Sequence, residues 1–203
     1  MLTSYKARVD RWLAPLARGL ARAGLTPTML TLSAPVVAAL LCVWVLRTRE
    51  VGVFCVSIAL AGCLDVLDGA VARASGRATK FGAYLDAICD RVFEVMVAMT
   101  GAALSGYWFL VTGVLAGSLL ISYAKARASM EVSVSNQEWP DLMERTERGL
   151  LFVAGLAAGW LIPWWPMGRN LFWWTLVVLN VLIYLTVVQR VLRARRLIEA
   201  RSR

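Results

Sequence analysis

Four aspartates lie inside otherwise apolar sequence: Asp65, Asp68, Asp86 and Asp90. On membrane-insertion scales a central aspartate costs roughly 2.5 to 3.5 kcal/mol, so four would cost on the order of 10 kcal/mol if nothing compensated them. Hydrophobic packing does not explain such residues, which are functional by default. Since the first two are three positions apart and the last two are four apart, each pair shares one face of a helix.

A short polar turn at residues 75–77 joins the two segments that carry these aspartates. Folding the hairpin about Arg77 brings the two pairs level, so we expect the four carboxylates to converge. Oxygen-only ligands suit Mg²⁺ or Mn²⁺, and two such ions would balance four negative charges. Two close metals favour phosphoryl or nucleotidyl transfer, because they neutralise a diphosphate and polarise the attacked phosphorus.

Two other interpretations of the aspartates stay open from spacing alone. A proton- or sodium-coupled transporter also buries aspartates, and a structural cluster could pair them with Arg73 and Arg91. The chain contains no histidine, which excludes Ser-His-Asp hydrolysis, histidine phosphotransfer and histidine-ligated zinc. Its four cysteines lie within apolar sequence without paired spacing and are interpreted as reduced packing residues.

The elements that must position the aspartates are transmembrane helices. The chain has 203 residues, of which 59% are hydrophobic, and a mean hydropathy of +0.64. These values predict an all-α integral membrane protein. We expect a single domain over 1–203, in which 1–24 forms an amphipathic interfacial helix and 25–203 a six-span bundle. The six apolar stretches are 29–46, 51–72, 81–104, 107–124, 149–165 and 171–189. We find no removable signal peptide, and residues 131–143 are predicted to form the longest loop.

Basic residues predict the orientation in the membrane. With six spans both termini share one side, and 19 of the 22 Lys and Arg residues fall on that side. The positive-inside rule therefore places both termini and the aspartate hairpin at the cytoplasmic face of the cell membrane. This asymmetry explains the net charge of +9 as topology and attraction to anionic lipid, and no nucleic-acid partner is expected.

The aspartate segment resembles a known signature. Asp65-Val-Leu-Asp68-Gly-Ala-Val-Ala-Arg73 is followed by eight residues, Gly82, three residues, Asp86, three residues and Asp90. This pattern is similar to the complete signature of the CDP-alcohol phosphotransferase family. The resemblance implies that the first three aspartates are metal ligands and that Asp90 is both a ligand and the general base. The base would take the proton of an acceptor hydroxyl, which attacks the β-phosphate of a CDP-lipid and expels CMP.

The same resemblance implies a site for the CDP-lipid. It includes a Thr-Pro-x-x-x-Thr element, which begins at Thr26 and in which Thr28 stands where the family often has Asn or Asp. Read alone, Thr26 and Pro27 would be an ordinary helix start. The residues implied to contact the CDP-lipid are Thr28, Thr31, Asp65, Gly69, Arg73 and Thr79.

Three basic segments near the ends of the last spans could bind a phosphorylated acceptor. They resemble the phosphatidylinositol-phosphate synthase branch of the family, with its archaetidylinositol relatives, in which matching positions hold inositol phosphate. The residues concerned are Ser122, Lys125, Arg148 and Arg190. The alternative is that these cations only reflect the positive-inside rule.

The expected acceptor is myo-inositol 1-phosphate, and glycerol 3-phosphate is the alternative. The resemblance also implies a homodimer. The small residues Gly113, Ala116 and Gly117 would permit close helix packing.

Overall fold

The computed structural model describes residues 15–16, 18–20, 23–74, 76, 78–132 and 142–201, with only the backbone of 64–66, 74 and 201. All regular secondary structure in these ranges is helical. A single 3₁₀ turn (Pro166–Gly168) precedes the last helix. Residues 15–16 and 18–20 are helical. The α-helices that follow are α1 (Pro27–Thr48), α2 (Val51–Ala74), α3 (Lys80–Ser105), α4 (Trp108–Glu131), α5 (Arg145–Leu161) and α6 (Leu171–Arg201).

The breaks between helices occur where glycine and proline lie. Thr26 caps α1 by accepting a hydrogen bond from the Met29 N–H at 3.3 Å, and Pro27 occupies the first turn. Gly76 and Gly106 adopt left-handed backbone conformations after α2 and α3. The connection between α5 and α6 contains Pro163 and the 3₁₀ turn. Most of the predicted first helix (1–24) and of the predicted loop (131–143) lies outside the described residues.

Contacts divide the chain into two compact units, 1–97 and 98–203, with the boundary inside α3. Within the first unit, α1 packs against α2, and the Cys42 thiol of α1 lies 3.7 Å from the carbonyl of Met96 in α3. Within the second unit, α6 packs against both α4 and α5.

Glycines at a four-residue spacing allow α4 to approach α6 closely. A Cβ at Gly113 would collide with the Asn180 side chain, and one at Gly117 would collide with Ile183. The Asn180 amide also donates to the carbonyl of Leu110 at 3.0 Å. These small residues, which could have served packing between copies, are therefore used for packing within the chain.

A second pair of glycines does the same between α5 and α6. A Cβ at Gly155 would collide with the Thr175 side chain, and one at Gly159 would lie 2.7 Å from the backbone nitrogen of Phe172. Both contacts need a helix surface without side chains, as small-residue motifs provide between membrane helices.

Within the part of the chain that the structure describes, four helices are long and apolar enough to cross a membrane. They are α1, α2, α4 and α6. Helix α3 is long enough with 26 residues but carries several charges, and α5 has 17 residues. The all-α membrane class is confirmed, whereas the count of six spans stays a prediction. Two helices run well past their predicted spans, because α4 continues to Glu131 and α6 to Arg201.

Candidate active site

The turn that separates the two aspartate pairs is confirmed. Helix α2 ends at Ala74 and α3 begins at Lys80. The hydroxyl of Thr79 accepts a hydrogen bond from the Gly82 N–H at 2.9 Å, which caps the start of α3. Thr79, expected near the CDP-lipid, therefore has a structural task that fixes where α3 begins.

The four aspartates fall on α2 and α3 as expected. Asp68 is buried, with 5% of its surface exposed, and Asp86 and Asp90 are half-buried. The side chain of Asp65 lies outside the described residues. Among the described side chains, no three acidic or cysteine residues form a group that could hold a metal ion. The convergence of all four carboxylates therefore stays a prediction, although an all-oxygen donor set suits Mg²⁺ or Mn²⁺.

A hydrogen bond joins Asp68 to α1. The hydroxyl of Thr31 donates to Oδ2 of Asp68, and the same hydroxyl lies 3.1 Å from the carbonyl of Pro27. Thr31 is 7% exposed, so this contact lies inside the protein. The resemblance assigned Thr31 to the CDP-lipid, whereas the structure brings its hydroxyl to a candidate metal ligand. Thr28 is exposed in the first turn of α1.

Gly69 provides space for an arginine one turn further along α2. A Cβ at this position would lie 3.1 Å from Nη1 of Arg73. The guanidinium of Arg73 therefore folds back over Gly69. Its expected contact with the phosphates of the CDP-lipid stays a prediction.

Glu94 is a charged residue that the sequence analysis did not single out. It follows Asp86 and Asp90 at the same four-residue spacing, so the three carboxylates share one face of α3. Arg91 forms an ion pair with Glu94 at 2.6 Å. Extending the four-residue spacing by one more turn would have found it.

Two arginines of the predicted acceptor site are buried in the second unit. Arg148 is 4% exposed, and its Nη1 donates to the carbonyl of Met143 at 2.9 Å. Arg190 is 5% exposed, and its Nη1 donates to the carbonyl of Ile121. Buried guanidinium groups are rare in proteins because desolvation is costly, so topology alone does not account for them.

The other two residues of the predicted acceptor site lie on α4 beside the contact between Arg190 and Ile121. Ser122 follows Ile121 directly, and its hydroxyl donates to the carbonyl of Ser118 at 3.3 Å. Lys125 lies one turn beyond Ile121 and shares that helix face. On the other side, the Leu142 N–H donates to the Gln189 side chain at 3.1 Å, which joins the chain before α5 to α6. The bond between Arg190 and Ile121 thus joins α6 to α4. The bond between Gln189 and Leu142 joins the neighbouring position of α6 to the segment before α5.

Other arginines in the same unit behave as ordinary surface residues. Arg127 pairs with Glu131 and Arg195 with Glu199, each at 2.7 Å and one helical turn apart. About half or more of each of these side chains is exposed. The contrast separates the buried pair from basic residues that only reflect membrane topology.

Known proteins resemble this chain over nearly its whole length. The family model for CDP-alcohol phosphatidyltransferases matches residues 24–196. Archaetidylinositol phosphate synthase of Pyrococcus horikoshii is 30% identical over 202 residues, which cover 98% of this chain and 99% of the relative. The enzyme of the same description from Methanothermobacter thermautotrophicus is 38% identical over 137 residues, or 66% of each chain.

The fold matches crystal structures of the Mycobacterium tuberculosis phosphatidylinositol phosphate synthase at 28% identity. The structure with CDP-DAG bound has a TM-score of 0.77 and covers 91% of this chain and 94% of that one. The complex with manganese and citrate has a TM-score of 0.78 and covers 89% and 88%. The resemblance drawn from the aspartate signature is confirmed, and the transporter interpretation is set aside. The chain belongs to the CDP-alcohol phosphatidyltransferase family of membrane enzymes.

Proposed function

We propose that this enzyme transfers the phosphatidyl or archaetidyl group of a CDP-lipid to myo-inositol 1-phosphate and releases CMP. The products are CMP and a phosphatidylinositol phosphate or its archaetidyl equivalent. The similar proteins from archaea and mycobacteria, named for these two lipid classes, support the proposal.

The reaction is a displacement at the phosphorus that carries the lipid. A hydroxyl of the inositol gives its proton to the Asp90 carboxylate, and its oxygen forms a new bond to the β-phosphorus. The bond between that phosphorus and the bridging oxygen of the diphosphate breaks, and CMP leaves with the electron pair. Residues proposed to hold the CDP-lipid are Thr28, Asp65, Gly69, Arg73 and Thr79.

Divalent metal belongs to the proposed site. Its ligands would be Asp65, Asp68, Asp86 and Asp90, whose four charges two Mg²⁺ or Mn²⁺ ions would balance. When bound, the metal would neutralise the negative charge of the diphosphate. The structure of the mycobacterial relative in complex with manganese supports this assignment.

The observation that carries the choice of acceptor is the burial of Arg148 and Arg190. A phosphate monoester is recognised by guanidinium groups held in fixed positions, because arginine forms two parallel hydrogen bonds to phosphate oxygens. Both arginines are anchored to backbone carbonyls, and Ser122 and Lys125 complete the proposed phosphate site. Two guanidinium groups held in fixed positions suit a phosphorylated acceptor better than a neutral alcohol.

Glycerol 3-phosphate remains the alternative acceptor, since it carries the same phosphate. The proposal also places the site and both termini at the cytoplasmic face and the enzyme in a homodimer. The excess of Lys and Arg on one predicted side supports the orientation. The dimer rests on the family resemblance.

The test is CMP release by the purified enzyme in detergent with Mg²⁺. CDP-diacylglycerol and CDP-archaeol are each offered with inositol 1-phosphate, inositol, glycerol 3-phosphate or serine in separate reactions. We expect release with inositol 1-phosphate and its loss on chelation of the metal by EDTA. Release of CMP with glycerol 3-phosphate instead would overturn the proposed acceptor but support the proposed reaction. Release with free inositol or serine would also show that the buried arginines do not select a phosphorylated acceptor.

A further inference from the structure

Helices α1 and α2 are joined by an apolar cluster beside the aspartate signature. Leu30 of α1 is buried against Ala70 and Val71 of α2, and Leu20 from the preceding segment packs on the same cluster. Ala70 and Val71 follow Asp68 by two and three positions. The start of α1 is therefore held against the part of α2 that carries the candidate metal ligand.

Thr31 is the polar neighbour of Leu30 in this contact. Its hydroxyl oxygen lies within hydrogen-bonding distance of the carbonyl of Pro27, four residues earlier, as threonines in helices often do. The hydroxyl has a single proton and reaches Oδ2 of Asp68 from this position. Both residues are buried, so water does not compete freely for the bond.

We propose that Thr31 is a positioning residue for Asp68, which it orients for metal binding, and that it is not a ligand of the nucleotide. This inference rests on the proposed function, because it assumes that Asp68 holds the metal. A hydrogen bond to a metal-binding carboxylate limits its rotation and keeps its remaining lone pairs directed at the ion. Loss of such a partner typically weakens metal binding by about 10- to 100-fold.

The test is a titration of the purified protein with Mn²⁺ in detergent and without any CDP-lipid. Binding is monitored by electron paramagnetic resonance. Thr31→Val removes the hydroxyl and keeps the shape, and Thr31→Ser keeps the hydroxyl. Thr31→Ala repeats the loss in a smaller side chain, should valine prevent folding. Thr48→Val is the matched control, because Thr48 lies on the same helix and bonds to the carbonyl of Trp44 at 3.1 Å.

We expect Thr31→Val and Thr31→Ala to raise the Kd for Mn²⁺ by about 10- to 100-fold. Thr31→Ser and Thr48→Val should stay within about threefold of the unmodified enzyme, and KM for the CDP-lipid at saturating metal should change little in all four variants. An unchanged Kd for Mn²⁺ with a raised KM for the CDP-lipid would overturn the inference and return Thr31 to the nucleotide.

The unmodified enzyme separates this inference from the proposed function. If it binds Mn²⁺ and releases CMP while the variants bind Mn²⁺ equally well, the inference alone fails. If it binds Mn²⁺ but releases no CMP, the proposed reaction fails and the effect of Thr31 on metal binding is still decided by the variants. If it binds no Mn²⁺, both fail.

Discussion

The Cα of Gly159 in α5 faces the backbone nitrogen of Phe172 in α6 so closely that an added Cβ would lie 2.7 Å from that nitrogen. The neighbour is backbone, which cannot rotate away as a flexible side chain can. Any side chain at residue 159 would therefore force the two helices apart.

Gly159→Ala should lower the stability of the enzyme. Overpacking of this kind costs about 1 to 3 kcal/mol, and the rigid neighbour favours the upper part of that range. The measurement is the Tm of the purified protein in detergent. Gly149→Ala is the matched control on the same helix, where a Cβ would meet no atom within 4 Å. We expect it to leave Tm unchanged or raise it, since alanine favours helix over glycine by roughly 1 kcal/mol. Equal stability of both variants would contradict the close approach.

Arg190→Lys should weaken binding of the acceptor phosphate. Lysine keeps the charge but loses the fork of donors, and a hydrogen bond to a charged group is worth about 1.5 to 3 kcal/mol. KM for inositol 1-phosphate should rise roughly 10- to 100-fold, with a much smaller change in KM for the CDP-lipid. Arg195→Lys, on the exposed side of the same helix, is the control and should behave as the unmodified enzyme. Equal changes in both KM values would contradict the assignment.

Asp90→Asn should abolish turnover while leaving CDP-lipid binding largely intact. The amide cannot accept the proton of the acceptor hydroxyl, and general base catalysis contributes about 10²- to 10⁴-fold to a rate. The measurements are kcat from CMP release and CDP-lipid binding by equilibrium titration. The exposed Glu199→Gln makes the same chemical change elsewhere and should leave both values unaltered. Parallel loss of binding and turnover in Asp90→Asn would count against its role as the base.

Thr79→Ala should lower Tm through loss of the cap on α3. The hydroxyl satisfies the N–H of Gly82, and removal of such a cap costs about 0.5 to 2 kcal/mol. Thr79→Ser retains the hydroxyl and should recover most of the stability. KM for the CDP-lipid is measured in parallel. A raised KM at unchanged Tm would show that Thr79 contacts the substrate and has little effect as a cap.

Local signals predicted the turn between α2 and α3 well. Glycine acts on its own backbone, and Gly76, inside the turn predicted at 75–77, adopts a left-handed conformation in the structure. Hydropathy was less informative about helix ends, because it reports where a chain is apolar. The polar ends of α4 and α6 stay helical after the apolar stretch has finished, which is why both helices exceed their predicted spans.

Contacts between distant residues were outside the reach of the sequence. The hydrogen bond between Thr31 and Asp68 joins positions 37 apart, and that between Arg190 and Ile121 joins positions 69 apart. Whether a basic residue is buried depends on such contacts, so the sequence alone left Arg148 and Arg190 open to a purely topological interpretation. The aspartates could be identified from the sequence because a charged residue within an apolar stretch indicates function even when its contacts are unknown.

Helix α6 extends without a break from Leu171 to Arg201, which corresponds to about 46 Å at 1.5 Å per residue. A hydrocarbon core is about 30 Å thick, so the helix is long enough to carry Arg193 and Arg196 beyond it. Each basic residue near an anionic membrane surface contributes about 1 kcal/mol of attraction. CDP-lipids are themselves anionic, and this charged helix end would therefore enrich the substrate around the enzyme. Ionic strength would then control how much substrate reaches the protein, separately from its effect on the chemical step.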